Sequence, residues 1–303
     1  MRESVGFHGG EHRLEGDLYL PDGLTPGDRR PGIVLLNGYT ATRELYLPET
    51  ARALNDAGYV ALAFDFTGWG GSEGPRHRLA PHGRVGDAQA ALTYLARSGL
   101  VSEAGLGVLG WSYGGATAVW LAAIDSRVAC VVSIGGVGNG GRWMRSVREP
   151  AEWAALMARA AADREARLGG GDPELVARPE ILKLDPESAR LSALTRKASK
   201  APADTIPLSF VDETIAFNPE WVVERIAPRA ALFVTAERDL IVPAAESQAL
   251  HARAGAPKRL AMIAGSGHYD LYAGAPFAQV MGEALAWFGA HLGAGAGDLR
   301  PCS

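Results

Sequence analysis

The stretch LGVLGWSYGGATAVWLAAI, residues 106–124, decides the fold. An apolar run ends at Gly110, a serine stands at 112 between Trp111 and Tyr113, and a helical run starts at once beyond Gly114. Gly-x-Ser-x-Gly at such a junction is the signature of a serine held on a sharp strand-to-helix turn. Gly110 and Gly114 let the chain turn tightly, and Gly115 and Ala116 let helix and strand approach closely. The helical run is apolar on nearly every face, as a helix buried against a sheet is. A second match, GGSEG at 70–74, lacks both flanks: it follows TGW rather than a strand and leads into PRHRLAPHG, which has no helical period. Ser112 is therefore the expected nucleophile and Ser72 a loop residue. Gly105, Gly107 and Gly110 also spell G-x-G-x-x-G, but inside the strand run rather than opening a helix, so no dinucleotide site is expected.

Outward from this junction, short apolar runs alternate with helical patterns. The runs are 15–20, 32–36, 59–66, 106–110, 128–136, 231–236 and 260–265, with helical stretches at 47–58, 84–99, 114–124, 245–255 and 276–293. From 32 onward the runs are almost continuously apolar, which is how strands buried on both faces of a parallel sheet read. The first alternates and suits an antiparallel edge hairpin. The rhythm breaks between Val137 and Pro228, where no strand of the core type is evident. Pro150, Pro173, Pro186 and Pro219 there each follow Glu, Asp or Asn, the pattern of an N-cap with proline in the first helical turn, and predict four helices. Trp153, Leu156, Met157, Ala160 and Ala161 form one apolar face of the first. Residues 137–217 are expected to be a helical cap, with 1–136 and 218–303 forming the core.

A serine hydroxyl needs a base within hydrogen-bond reach, and the base needs an orienting carboxylate. On this architecture the chain order is Ser, acid, His. Asp239 follows the run ALFVTA, and His268 follows LAMIAG, so both lie past the C-terminal ends of their strands, as Ser112 does. Glu237 and Asp270 are weaker rivals for the acid. His77, His82, His251 and His291 read as loop or helix histidines.

At this point the sequence resembles the α/β-hydrolase fold family. The resemblance rests on LLNGYT at 35–40, FDFTGWGGSEG at 64–74, GWSYGG at 110–115, AERDLIVP at 236–243 and GSGH at 265–268. It implies a mostly parallel central sheet flanked by helices, with the cap inserted after the sixth strand. Within the family, NGYTATRE and the D-x-x-G-x-G-x-S loop are similar to dienelactone-hydrolase and S15-peptidase-like serine esterases. The resemblance makes the GGSEG serine structural and places the oxyanion hole at the N–H of Tyr113 and at Tyr39. Many members have His-Gly where this chain has Asn37-Gly38, and S15-like relatives use a tyrosine hydroxyl from this loop, so Tyr39 serves by N–H or by OH.

The expected activity is that of a serine hydrolase cleaving a carboxylic ester or related acyl compound through an acyl-enzyme, without a cofactor. A thioester, amide or C–C substrate on the same site, or a non-catalytic ligand-binding role, are the alternatives. Trp143, Trp153 and Met157 are expected to bind substrate as part of a lid. Packing among the cap helices, or a homodimer interface, would equally use such apolar side chains.

A net charge of -4 and a pI near 6.0 give no electrostatic footprint for nucleic acid. Met1 to Gly16 lacks the apolar core of a secretory signal, and no apolar run is long enough to span a membrane, so the cytoplasm is the expected compartment. The two cysteines, Cys130 and Cys302, offer no disulfide framework, and the histidines lack metal-binding spacings, so no metal is expected.

Overall fold

The computed structural model describes residues 1–76, 78–198 and 205–292, which leaves His77 and Cys302 outside the described residues. In chain order the first elements are β1 (Arg2–Gly9), β2 (His12–Tyr19), β3 (Arg30–Leu36), α1 (Leu47–Asp56), β4 (Val60–Phe64), α2 (Pro81–Arg97), β5 (Val101–Trp111), α3 (Tyr113–Ile124) and β6 (Cys130–Ile134). An insert follows, with α4 (Gly140–Ser146), α5 (Pro150–Leu168), β7 (Leu175–Ala177), α6 (Arg178–Ile181), α7 (Pro186–Ala198), β8 (Thr205–Pro207) and α8 (Phe210–Ile215). Two 3-10 turns, Pro219–Trp221 and Val223–Ile226, lead back to β9 (Ala230–Ala236), α9 (Ala244–Arg253) and β10 (Lys258–Ile263). A further 3-10 turn, Tyr269–Tyr272, precedes α10 (Gly274–His291).

Eight strands form one sheet in the order β1-β2-β4-β3-β5-β6-β9-β10. From β4 to β10 every pairing is parallel, while β1 and β2 form an antiparallel hairpin that joins the sheet antiparallel to β4. Alternate residues of each central strand face opposite layers. Ile33, Leu35, Leu109, Val132 and Leu232 pack with α1 and α10, through Leu54, Val280 and Phe288. Val34, Leu36, Val108, Val131 and Phe233 pack on the other face with α2, α3 and α9, through Leu92, Val119 and Leu250. Burial on both faces explains why these strands carry continuous apolar runs. Each such side chain contributes about 1.5–3 kcal/mol by leaving water.

The insert shares this second core. Trp143, Met144, Leu156, Phe210 and Phe217 belong to the same buried cluster as α2 and α3. Trp143, Met144 and Leu156 are thus buried within the chain. The apolar face of α5 lies where its periodicity puts it, with Leu156 and Ala160 buried and Trp153 and Met157 half-buried. The proline pattern predicts helix starts less well. Pro150 and Pro186 open α5 and α7, but Pro173 leads into β7, and Pro219 opens only a 3-10 turn. Proline presets one backbone angle, which any turn of that angle can use. The small antiparallel pair of β7 and β8 and the short helices α4, α6 and α8 are additions the patterning does not reveal.

Candidate active site

Ser112 is the single residue between β5 and α3. Its backbone sits at φ 53 and ψ -124, outside the regions a residue with a side chain ordinarily adopts. Such strain costs on the order of 1–3 kcal/mol and persists only where the surroundings dictate it. Here two contacts do so. A Cβ on Gly110 would lie 2.1 Å from the Gly114 carbonyl oxygen, and one on Gly114 would lie 2.2 Å from that of Leu36. The Ser112 N–H donates to the Ile134 carbonyl at 2.7 Å, and the Ser112 carbonyl accepts from the Gly115 N–H at 2.8 Å. The turn leaves the Ser112 side chain half-buried at the C-terminal edge of the sheet.

His268 and Asp239 meet it there. His268 Nδ1 is 2.6 Å from Asp239 Oδ2, and Nε2 is 3.1 Å from Ser112 Oγ. A carboxylate only accepts, so the proton sits on Nδ1 and Nε2 is left to accept from the serine hydroxyl. Asp239 is held in turn by the N–H groups of Ile241 and Val242, which donate to Oδ1 at 2.9 and 2.7 Å. The rival acids are engaged locally: Glu237 accepts from the Gly265 N–H, and Asp270 from that of Gly267. Of the other histidines, His82 lies in α2 rather than in the loop before it, with its ring 4.8 Å from Trp120 and 5.3 Å from Phe217. Gly135, just past β6, is a site residue that the sequence does not announce. Its φ is +56, and a Cβ there would come 3.1 Å from His268 Cε1.

The loop after β3 covers Ser112 from the other side. A Cβ on Gly38 would lie 3.2 Å from Ser112 Cβ. The Tyr39 hydroxyl pairs with Thr214 Oγ1 of α8 at 3.1 Å, and its ring packs edge-on against Tyr113, Trp143 and Phe210. The phenol is thus engaged by the insert. Tyr113 is the first residue of α3, so its N–H is one of those no intrahelical carbonyl reaches. Trp143 donates its indole N–H to the Ile241 carbonyl at 2.6 Å and abuts Tyr39 and Tyr113. Trp153 and Met157 pack against the same apolar cluster, and among the described residues no hydrogen bond or ring contact joins either to Ser112 or His268.

Tyrosines close the remaining side. Tyr272 stacks on Trp111 at 4.6 Å, lies 4.1 Å from Tyr46 and faces His268 edge-on at 6.0 Å. Burial pushes the Tyr272 phenol well above its ordinary pKa, and that of Tyr46 up to about 12, so both stay neutral donors. A cleft of about 250 Å³ opens beside His268, between Ser188 and Leu191 of α7 and the segment Gly267 to Asp270.

Ser72 has a different occupation. It is fully buried, donates to the Asp65 carbonyl at 2.6 Å and accepts from the Glu15 N–H at 2.9 Å. The Asp65 carboxylate accepts from the Gly71 N–H and pairs with Arg43, which also bridges to Asp17 at 3.0 Å. A Cβ on Gly70 would collide with that carboxylate. The glycine-rich loop is a packing device that ties β2 to the end of β4.

An eight-stranded, mostly parallel sheet with a nucleophile-type turn at its C-terminal edge defines the α/β hydrolases. The model of the Alpha/beta hydrolase family matches residues 33–282, and the chain belongs to that family. It is 28% identical over 285 residues to a polyketide transferase of Aspergillus fumigatus, covering 91% of this chain and 95% of that one. It is 25% identical over 299 residues to a thiohydrolase of Eupenicillium brefeldianum, covering 95% and 93% respectively. The crystal structure of the α/β hydrolase GrgF from Penicillium sp. superimposes with a TM-score of 0.80 at 22% identity, covering 96% of this chain and 99% of that one.

Proposed function

We propose that this protein is a serine hydrolase that cleaves an acyl ester or thioester through an acyl-enzyme intermediate. The observation that carries the reading is the unbroken relay from Asp239 through His268 to Ser112, at 2.6 and 3.1 Å. Ser112 Oγ attacks the substrate carbonyl carbon while its proton passes to His268 Nε2. The carbonyl oxygen, now anionic, is received by the N–H groups of Tyr39 and Tyr113. Collapse of the tetrahedral species expels the alkoxide or thiolate, which takes the proton from His268. Water then repeats the sequence on the acyl-serine and releases the carboxylic acid. Asp239 holds the imidazole in the required tautomer and stabilises its cation. The insert acts as a lid, with Trp143 and α7 lining the acyl pocket.

The ester reading follows from the site chemistry alone. A thioester reading draws support from the relatives named thiohydrolase and polyketide transferase, and an acceptor other than water would turn the same acyl-enzyme into a transferase. Labelling with a fluorophosphonate, lost in Ser112→Ala, tests the nucleophile. Turnover of matched esters and thioesters, with and without added alcohols, then separates the substrate classes. Activity that survives in Ser112→Ala would defeat the reading.

A further inference from the structure

Arg84, on α2, is a buried cation that the reaction above does not use. It is 4% exposed, and among the described residues no carboxylate forms an ion pair with it: its Nη2 donates to the carbonyl oxygens of Asn37 at 2.5 Å and Gly38 at 3.1 Å. Its guanidinium lies 3.8 Å over the Phe66 ring and 5.6 Å from that of Tyr113, and Nε has no partner among the described residues. Burial pulls its pKa down to about 10, so it remains charged at neutral pH. A buried charge is costly, and an apolar side chain of similar volume would fill this space at lower cost. Filling space therefore does not account for an arginine here.

The backbone shows what does. The Gly38 carbonyl and the Tyr39 N–H belong to one peptide group, which is trans, since cis bonds occur only before Pro228 and Pro257 among the described residues. In a trans peptide the C=O and N–H point in opposite directions within one plane. A carbonyl drawn toward Arg84 thus turns the Tyr39 N–H away from it, on the peptide whose Gly38 Cα lies against Ser112. A cation on the carbonyl also polarises the peptide and strengthens its N–H as a donor. The second anchored carbonyl, that of Asn37, lies above Gly114, where a Cβ would come within 2.6 Å of it.

We propose that Arg84 is a positioning residue for the oxyanion hole: by holding the Asn37 and Gly38 carbonyls it aims and polarises the Tyr39 N–H toward the developing oxyanion. This rests on the acyl-enzyme reading above. The group acts through the backbone and touches no substrate.

Two variants and one measurement on the wild type test it. Arg84→Lys keeps the charge but lacks the planar fork. It should lower kcat on the order of tenfold with KM little changed, because the oxyanion interaction is made only in the transition state. Arg84→Ala should lose on the order of 100-fold. Millimolar guanidinium should restore part of that activity, since a cavity of about 420 Å³ lined by Gly83, Arg84 and Asp87 adjoins the position. In the wild type, nitrogen-15 NMR should show the Arg84 Nη protons exchanging slowly and the guanidinium unable to rotate. Unchanged kcat in either folded variant, with only the melting temperature lowered, would overturn the proposal. So would free rotation of the guanidinium in the wild type, a result that does not depend on any variant folding. Absence of Ser112-dependent turnover in the wild type would instead sink the functional reading, leaving the anchoring to be judged by NMR.

Discussion

Ser112 and Ser72 both sit at the centre of a Gly-x-Ser-x-Gly pattern, yet their hydroxyls meet opposite surroundings. Ser112 Oγ faces an imidazole nitrogen at 3.1 Å, whereas Ser72 Oγ is sealed between the Asp65 carbonyl and the Glu15 N–H. Ser112→Ala is expected to abolish turnover with the fold unchanged. Ser72→Ala should keep kcat near wild type but lose about 1–3 kcal/mol of stability, because two buried backbone groups lose their partner. Urea unfolding beside steady-state kinetics checks both, and a dead Ser72→Ala of normal stability would reverse the assignment. Asp239→Asn should retain the hydrogen bonds from Ile241 and Val242 and therefore fold, yet lower kcat about 10⁴-fold by stabilising the wrong imidazole tautomer. If Glu237→Gln were the damaging change instead, the acid would be Glu237.

The elements that bound the site come from both the sheet and the insert, and they differ in what they offer a substrate. Leu191 of α7 lines the cleft beside His268, whereas Trp153 of α5 packs into the core that the insert shares with α2 and α3. Leu191→Ala should therefore change the ranking of kcat/KM among acyl chains of different length, since each pocket methylene discriminates by about 1–3 kcal/mol. Trp153→Ala should depress all substrates alike and lower the melting temperature, as loss of a packed aromatic does. A substrate panel run on both variants decides it. A selective effect of Trp153→Ala with none from Leu191→Ala would move the acyl pocket from α7 to α5.

At the scale of the whole molecule, the enclosed phenols make stability depend on alkaline pH. Burial raises the pKa values of Tyr39, Tyr113 and Tyr272 above the ordinary phenol range. The unfolded chain releases these protons near pH 10, while the folded protein keeps them to higher pH. Over that window the folded state binds more protons, so stability falls as pH rises. Their contribution is whole below about pH 10 and is lost as pH climbs through the folded values. The urea midpoint should drop above pH 10, and absorbance of phenolate should show a late phase that coincides with unfolding. Titration of all 8 tyrosines together near pH 10 without loss of stability would contradict it.

The strand-turn-helix at 106–124, the parallel sheet and the positions of Asp239 and His268 past their strands were legible in the sequence, because apolar periodicity and glycine placement are local and burial acts on them directly. The apolar face of α5 was legible for the same reason. The sequence already favours Asp239 over Glu237 and Asp270, but that its carboxylate reaches His268 Nδ1 across 29 residues of chain is a matter of tertiary structure. The tie of the Tyr39 hydroxyl to Thr214, the glycine that makes room for His268 at 135, and the grip of Arg84 on the loop after β3 were likewise decided by tertiary structure. Each joins groups far apart in sequence, and an arginine on an amphipathic helix reads the same whether it faces water or a buried carbonyl. Periodicity tells which residues leave water; only packing tells which of them meet.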